Sequence, residues 1–258
     1  MQRTHSPQPC AILNHHKGGE PHAYDQSDHT HNRSDPRHSR RERNVQAACG
    51  GGGGGGSSET TDPNLAFQVF PSSFFAPSYS ESYTLTGSDT DGNDYTATAS
   101  LKTGAQTTFQ GEAAIPVEFL FRFTNAATQA SIIANFTNYF SPSSHSRFIG
   151  SFSITDGTTG LPSAQMTLPT TARVGDFGSI GTIAYDDGTT EVLSWELHST
   201  SNASRANLIL SSVYKDAFGD TTGTEDDTYE IDANGVRHRL TVRYTDADRT
   251  INLAGDGR

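Results

Sequence analysis

From Tyr83 to the C-terminus, apolar and polar residues alternate with a period of two, and Asp-Gly and Asn-Gly pairs repeatedly interrupt the alternation. Ile115, Val117, Phe119, Phe121 and Phe123 share one phase of such a run, with Glu118 and Arg122 in the other. Ala130, Ile132, Ala134 and Phe136 repeat it after a turn at 125–128, so these two runs read as a hairpin. The same pattern marks Tyr95 to Leu101, the series Phe148, Gly150, Phe152, Ile154, and the series Val236, His238, Leu240, Val242, Tyr244. It also marks shorter runs around Ile183, Leu193, Leu208 and Ile251. A period of two places alternate side chains on opposite faces of an extended chain, which describes a half-buried strand and not an amphipathic helix. Asp91-Gly92, Asp156-Gly157, Asp187-Gly188 and Asn234-Gly235 supply the positive φ angles of tight hairpins. Hairpin after hairpin predicts an all-β domain: an antiparallel meander of roughly ten to twelve strands, forming a sandwich or an up-and-down barrel. Residues 160–180 are the least regular; they are expected to join two halves of the sheet, with a strand around Gln165–Leu168.

Upstream the chain changes character. In residues 63–80, Phe67, Phe70, Phe74, Phe75 and Tyr79 are interspersed with Pro63, Pro71 and Pro77. The prolines argue against a regular helix or a central strand, so this segment is expected to lie extended with its aromatics on the edge of the domain. Gly50 to Gly56 is an unbroken glycine run. Such a run builds no core and makes a flexible tether. Residues 1–48 hold seven of the ten histidines and few apolar residues, with neither period, so a disordered arm is expected there. The boundaries are therefore 1–48 for the arm, 49–62 for the tether and 63–258 for a single β domain. The arm reads either as a genuine weakly basic segment or as a misassigned start or out-of-frame stretch.

Charge and cysteine content narrow the function. The net charge is −11, and since the first 48 residues carry seven Lys/Arg against five Asp/Glu, the acidic excess lies entirely in the remainder. An acidic domain repels phosphates, so no nucleic-acid partner is expected. The two cysteines are Cys10 and Cys49, which excludes a disulfide framework in the domain. His15-His16 and His29-Thr30-His31 offer imidazoles but no fixed geometry, and neither a metal nor another cofactor is expected.

The segment Ala47-Ala48-Cys49-Gly50, followed by Gly and Ser, resembles the start of a mature bacterial lipoprotein. Gln46 stands where that family has Leu, and no apolar signal segment precedes it. The runs GSDTDGNDYTATASLKTGAQTTFQGEAA, LPTTARVGDFGSIGTIAYDDGT and TYEIDANG are similar to those of uncharacterised lipoproteins of the Gram-negative envelope. The resemblance covers residues 49–258. It implies a diacylglyceryl group on Cys49, a tether to the outer membrane facing the periplasm or the surface, and no known activity. That location requires a true signal peptide before Cys49; with residues 1–48 as written, the chain is expected in the cytoplasm.

Two residue sets are candidates for ligand contact. Asp89, Asp91 and Asn93 alternate as oxygen ligands do in a calcium loop, although the twelfth position is Ser100 and not the bidentate Glu such a loop uses. The competing reading is a polar hairpin turn, and Glu225-Asp226-Asp227 is read the same way. Arg237, Arg239 and Arg243 are expected on one face of a strand, as a stripe for an anion or as cross-strand partners of acids such as Glu230. His145, His198 and His238 have no partners at metal or triad spacing. No nucleophile elbow, zinc motif, P-loop or dinucleotide fingerprint is present. The expectation is a non-enzymatic envelope lipoprotein whose β domain binds a protein or small ligand or serves structurally. A hydrolase with a carboxylate site and an adhesin-like surface module are the alternatives.

Overall fold

The computed structural model describes residues 60–258. The arm over 1–48, Cys49 and most of the glycine tether lie outside the described residues. The chain enters through β1 (Ala66–Gln68) and a 3-10 helix (Ser72–Phe75). β2 (Ser80–Asp89), β3 (Asp94–Thr103), β4 (Thr107–Phe109), β5 (Glu112–Asn125) and β6 (Ser131–Phe140) follow. Next come β7 (Arg147–Ser153), β8 (Thr159–Pro162), β9 (Met166–Thr167), β10 (Thr171–Arg173) and β11 (Phe177–Tyr185). The chain ends with β12 (Thr190–Ser199), β13 (Arg205–Lys215), β14 (Thr221–Asp232), β15 (Arg237–Asp246) and β16 (Thr250–Asp256).

Of the two closures the sequence permits, the molecule adopts the barrel. Twelve strands form an antiparallel barrel in which neighbours in space are neighbours in the chain, β4, β9 and the β1–β10 pair being extra. β3 pairs with β5, and β16 closes on β2 through Ile251 opposite Asp89 to Ala254 opposite Thr86. Among the described residues, closure leaves no long strand edge open to another chain. Glycine permits the seam: a Cβ on Gly87 would stand 1.8 Å from the Asn252 carbonyl oxygen, and one on Gly255 1.9 Å from that of Thr84.

The alternation decides which face points inward. Leu85, Ala97, Phe121, Phe123, Leu208, Ile231, Leu240, Val242 and Leu253 are buried in one core. Thr84, Thr86, Thr96, Thr98, Glu118 and Arg122 are exposed on the outside, the reverse of a lipid-facing wall. Among the described residues four register shifts interrupt the strand pairing. One, between β6 and β7, sets Tyr139 opposite Gly150 and Phe140 opposite Phe148. Phe148 therefore joins the main core, Phe152 packs outside with Phe109 and Ile149, and Ile154 is exposed, so the four residues do not share one face.

The proline-rich entry segment is not an edge. Phe67, Phe70, Phe74 and Phe75 are buried in the main core, with the Phe74 ring packed against Phe70, Phe75 and Tyr79. The reason is barrel size: eight strands make a barrel that wall side chains alone fill, and twelve leave more interior. The segment therefore acts as a plug at the end of the barrel where β2 starts. It is tied down early. The Thr61 N–H donates to the Thr200 carbonyl at 3.3 Å and its Oγ1 to the Arg205 carbonyl at 2.5 Å, so the packed domain already includes Thr61.

Candidate functional site

The plug does not fill the interior. A cavity of about 160 Å³ remains between it and the far end of the barrel. Phe119, Phe136, Phe140, Leu193 and Leu210 supply apolar walls. Asn138, Glu191, Ser212, Glu225, Asp227 and Arg237 supply polar groups. Several of these point inward and are still only half-buried, among them Phe119, Asn138, Leu193, Leu210, Ser212 and Asp227. Their remaining surface is the cavity wall and not the outside of the molecule.

At the plug end, Arg237 is the central group. A bulge between β14 and β15 sets Glu230 opposite Arg239 and Ile231 opposite Arg237, with His238 as the extra residue. This turns Arg237 inward, where its side chain is 2% exposed. Its Nη1 donates to Glu81 Oε1 at 2.9 Å, and Glu81 Oε2 accepts from Tyr79 and Tyr83, each at 3.1 Å. The guanidinium lies 4.2 Å from the Tyr229 ring centre, 5.0 Å from that of Phe74 and 5.4 Å from that of Phe70. One cation thus links two strands to the plug. Burial alone would lower its pKa, but Glu81 and the tyrosines hold it above the ordinary value. Burial pushes the Tyr79 hydroxyl up to about 12 despite the nearby Arg237.

The rest of the polar lining is acidic. Glu191 accepts from Tyr185 and Ser212, both at 2.7 Å, and Glu225 accepts from Tyr214 at 3.3 Å. Asp227 differs: among the described residues no group donates a hydrogen bond to its Oδ1. Burial pushes its carboxyl up to about 7; Arg237 opposes that rise, while Asp226 and Glu191 add to it. Asn138 Oδ1 and Arg237 Nη2 are also buried with no hydrogen-bond partner among the described residues. Nearly all buried polar atoms in proteins find a partner, so three orphans around one cavity indicate a site completed by something outside the chain. The arrangement can receive a hydrogen-bond donor and can hold a proton on Asp227 near neutral pH.

The residues singled out by sequence do not converge here. Arg237 is inside the barrel, whereas Arg239 and Arg243 are exposed outside, so the three form no stripe. Val236, expected on the apolar face, is 52% exposed. Glu230 forms its ion pair with Arg205, and Arg239 pairs with Asp256 at 3.3 Å. The turn at Asp89, Asp91 and Asn93 is a capped hairpin. Asp89 accepts the Asp91 and Asn93 N–H groups, the Asn93 amide at 2.9 Å and the Tyr95 hydroxyl at 2.7 Å. Burial opposes ionisation of Asp89, but these hydrogen bonds outweigh it and hold the carboxyl down to about 2. Among the described residues no three His, Cys, Asp or Glu side chains are placed to hold a metal. His198 meets Glu196 at 2.7 Å, His238 meets Asp232 at 3.5 Å, and the His145 ring lies against Phe75. Cys49 lies outside the described residues.

Glu225, Asp226 and Asp227 form no turn but lie within β14, with Glu225 and Asp227 facing inward. The sequence does carry a signal for this. Glu225 and Asp227 share the phase of Tyr229 and Ile231, and Glu191 shares that of Leu193 and Leu197. Carboxylates in the apolar phase of a strand mark an interior site. Compared with family models, curated proteins and solved structures, the chain matches none.

Proposed function

We propose that the chain is a non-enzymatic binding protein of the bacterial envelope: a β barrel that holds a small molecule in its interior, tethered to the membrane by a lipid on Cys49. The observation that carries the binding reading is the cavity of about 160 Å³ bordered by Asp227, whose Oδ1 accepts no hydrogen bond among the described residues. Protein interiors are otherwise close-packed, and a buried carboxyl is costly to ionise unless a hydrogen-bond donor or a cation meets it. Two features weigh against the alternatives. The cavity carboxyls face the barrel interior, where a space of about 160 Å³ has no room for a polymeric substrate. The two most exposed large apolar side chains among the described residues, Phe177 and Phe218 at 78% and 92%, stand at opposite ends of the barrel and not together.

The test is to purify the lipid-tethered protein from membranes, denature it and identify released small molecules by mass spectrometry. Leu210→Trp, which projects a larger ring into the cavity, should keep the fold and lose the released molecule. Equal release from both proteins, or none from either, would overturn interior binding.

A further inference from the structure

We infer that the cavity takes a small organic ammonium ion, a primary alkyl or arylalkyl amine, with its N–H groups on Asp227 and its apolar body against Phe119, Phe136 and Phe140. This rests on interior binding and names the class of molecule bound. The first argument is charge. Glu81 already matches the Arg237 cation at 2.9 Å, and three further carboxyls, Glu191, Glu225 and Asp227, border the cavity. An anion entering this space meets those carboxyls, and above pH 7, where Asp227 is ionised, a neutral molecule leaves that charge inside the barrel unanswered. A cation answers it. The second argument is donor count. Two of the three orphaned atoms, Asp227 Oδ1 and Asn138 Oδ1, are acceptors, and the third, Arg237 Nη2, belongs to a guanidinium already paired with Glu81 through Nη1, so a ligand that brings hydrogen-bond donors suits the site and a quaternary ammonium, which has none, does not. The third is the wall: Phe119, Phe136 and Phe140 offer an apolar ring surface for the ligand's body. The fourth is size, since cavities of about 150 Å³ admit a benzene-sized molecule.

The raised Asp227 pKa is the state expected of a carboxyl whose partner is absent. An ammonium beside it would bring it down, so binding near pH 7 should release a proton. The probes are benzylamine, toluene and benzoate, which share a ring and differ in charge. Each is added during refolding of the full chain so that the plug is no barrier, and affinity is read at pH 8 from the ligand-dependent rise in Tm by scanning calorimetry. Benzylamine should bind more tightly than the other two. Asp227→Asn, which keeps the shape, should weaken benzylamine by about 10- to 100-fold and leave toluene unchanged. Asn138→Leu should give a smaller loss in the same direction. Toluene or benzoate binding at least as tightly as benzylamine, or benzylamine binding unaffected by both substitutions, would overturn the ammonium assignment and leave interior binding standing. Binding of none of the three would remove interior binding itself.

Discussion

Asp227→Asn offers a test of the interior electrostatics that needs no ligand. The wild-type carboxyl is moved from 3.8 to about 7 by burial, with Asp226 and Glu191 adding to the rise and Arg237 opposing it. That displacement disfavours the charged form inside the barrel by about 4 kcal/mol. The folded state therefore keeps a proton that the unfolded chain releases above pH 3.8. The sign follows from linkage: the stabilisation is complete below the unfolded pKa and is lost as pH rises through the folded one. In ligand-free protein, wild-type stability should fall relative to Asp227→Asn by about 4 kcal/mol between pH 4 and pH 8. Asn nearly preserves the shape and cannot ionise, so titration of the other carboxyls is largely common to both proteins. Urea denaturation of both across that range measures the difference. A difference that stays constant with pH would mean that Asp227 is solvated or paired, and the orphaned-carboxyl argument would fail.

Arg237→Ala should destabilise the barrel by about 3–5 kcal/mol, because it leaves Glu81 buried and uncompensated and frees the plug rings Phe70 and Phe74. The double variant Glu81→Gln with Arg237→Met should recover much of that loss in urea denaturation; a single-variant cost under about 1 kcal/mol would refute the linking role. Expressed behind a working signal peptide joined at Cys49, the chain should label with palmitate and partition with membranes, since each buried methylene contributes about 0.8 kcal/mol. Cys49→Ser should abolish both, and membrane attachment that survives it would remove the lipid tether.

Much of the wall is legible in the chain because strand alternation is local. Val117, Phe119, Phe121 and Phe123 declare their face by spacing alone, and Asp-Gly pairs declare the hairpins. The strand at Met166–Thr167 falls within the expected Gln165–Leu168. Phase fails where one residue is inserted. The bulge at His238 reverses Arg237 relative to Arg239, and the bulge opposite Tyr139 separates Phe148 from Phe152. A bulge depends on the partner strand as well as on its own, so periodicity within one strand does not reveal it.

The site was less legible than the wall. Glu191, Glu225 and Asp227 lie in the apolar phase of their strands, but consecutive acids beside Thr and Gly also read as a solvated turn. Only strand pairing settles which reading holds, by giving Asp227 the neighbours Leu210 and Val242. The sequence by itself determined an all-β antiparallel meander with a polar exterior, because alternation and turn chemistry act within a few residues. Tertiary structure alone decided that β16 meets β2, that the Phe67–Phe75 segment enters the barrel, and that a space remains beside Asp227. Closure sets the diameter, and the diameter decides how much interior the side chains cannot fill.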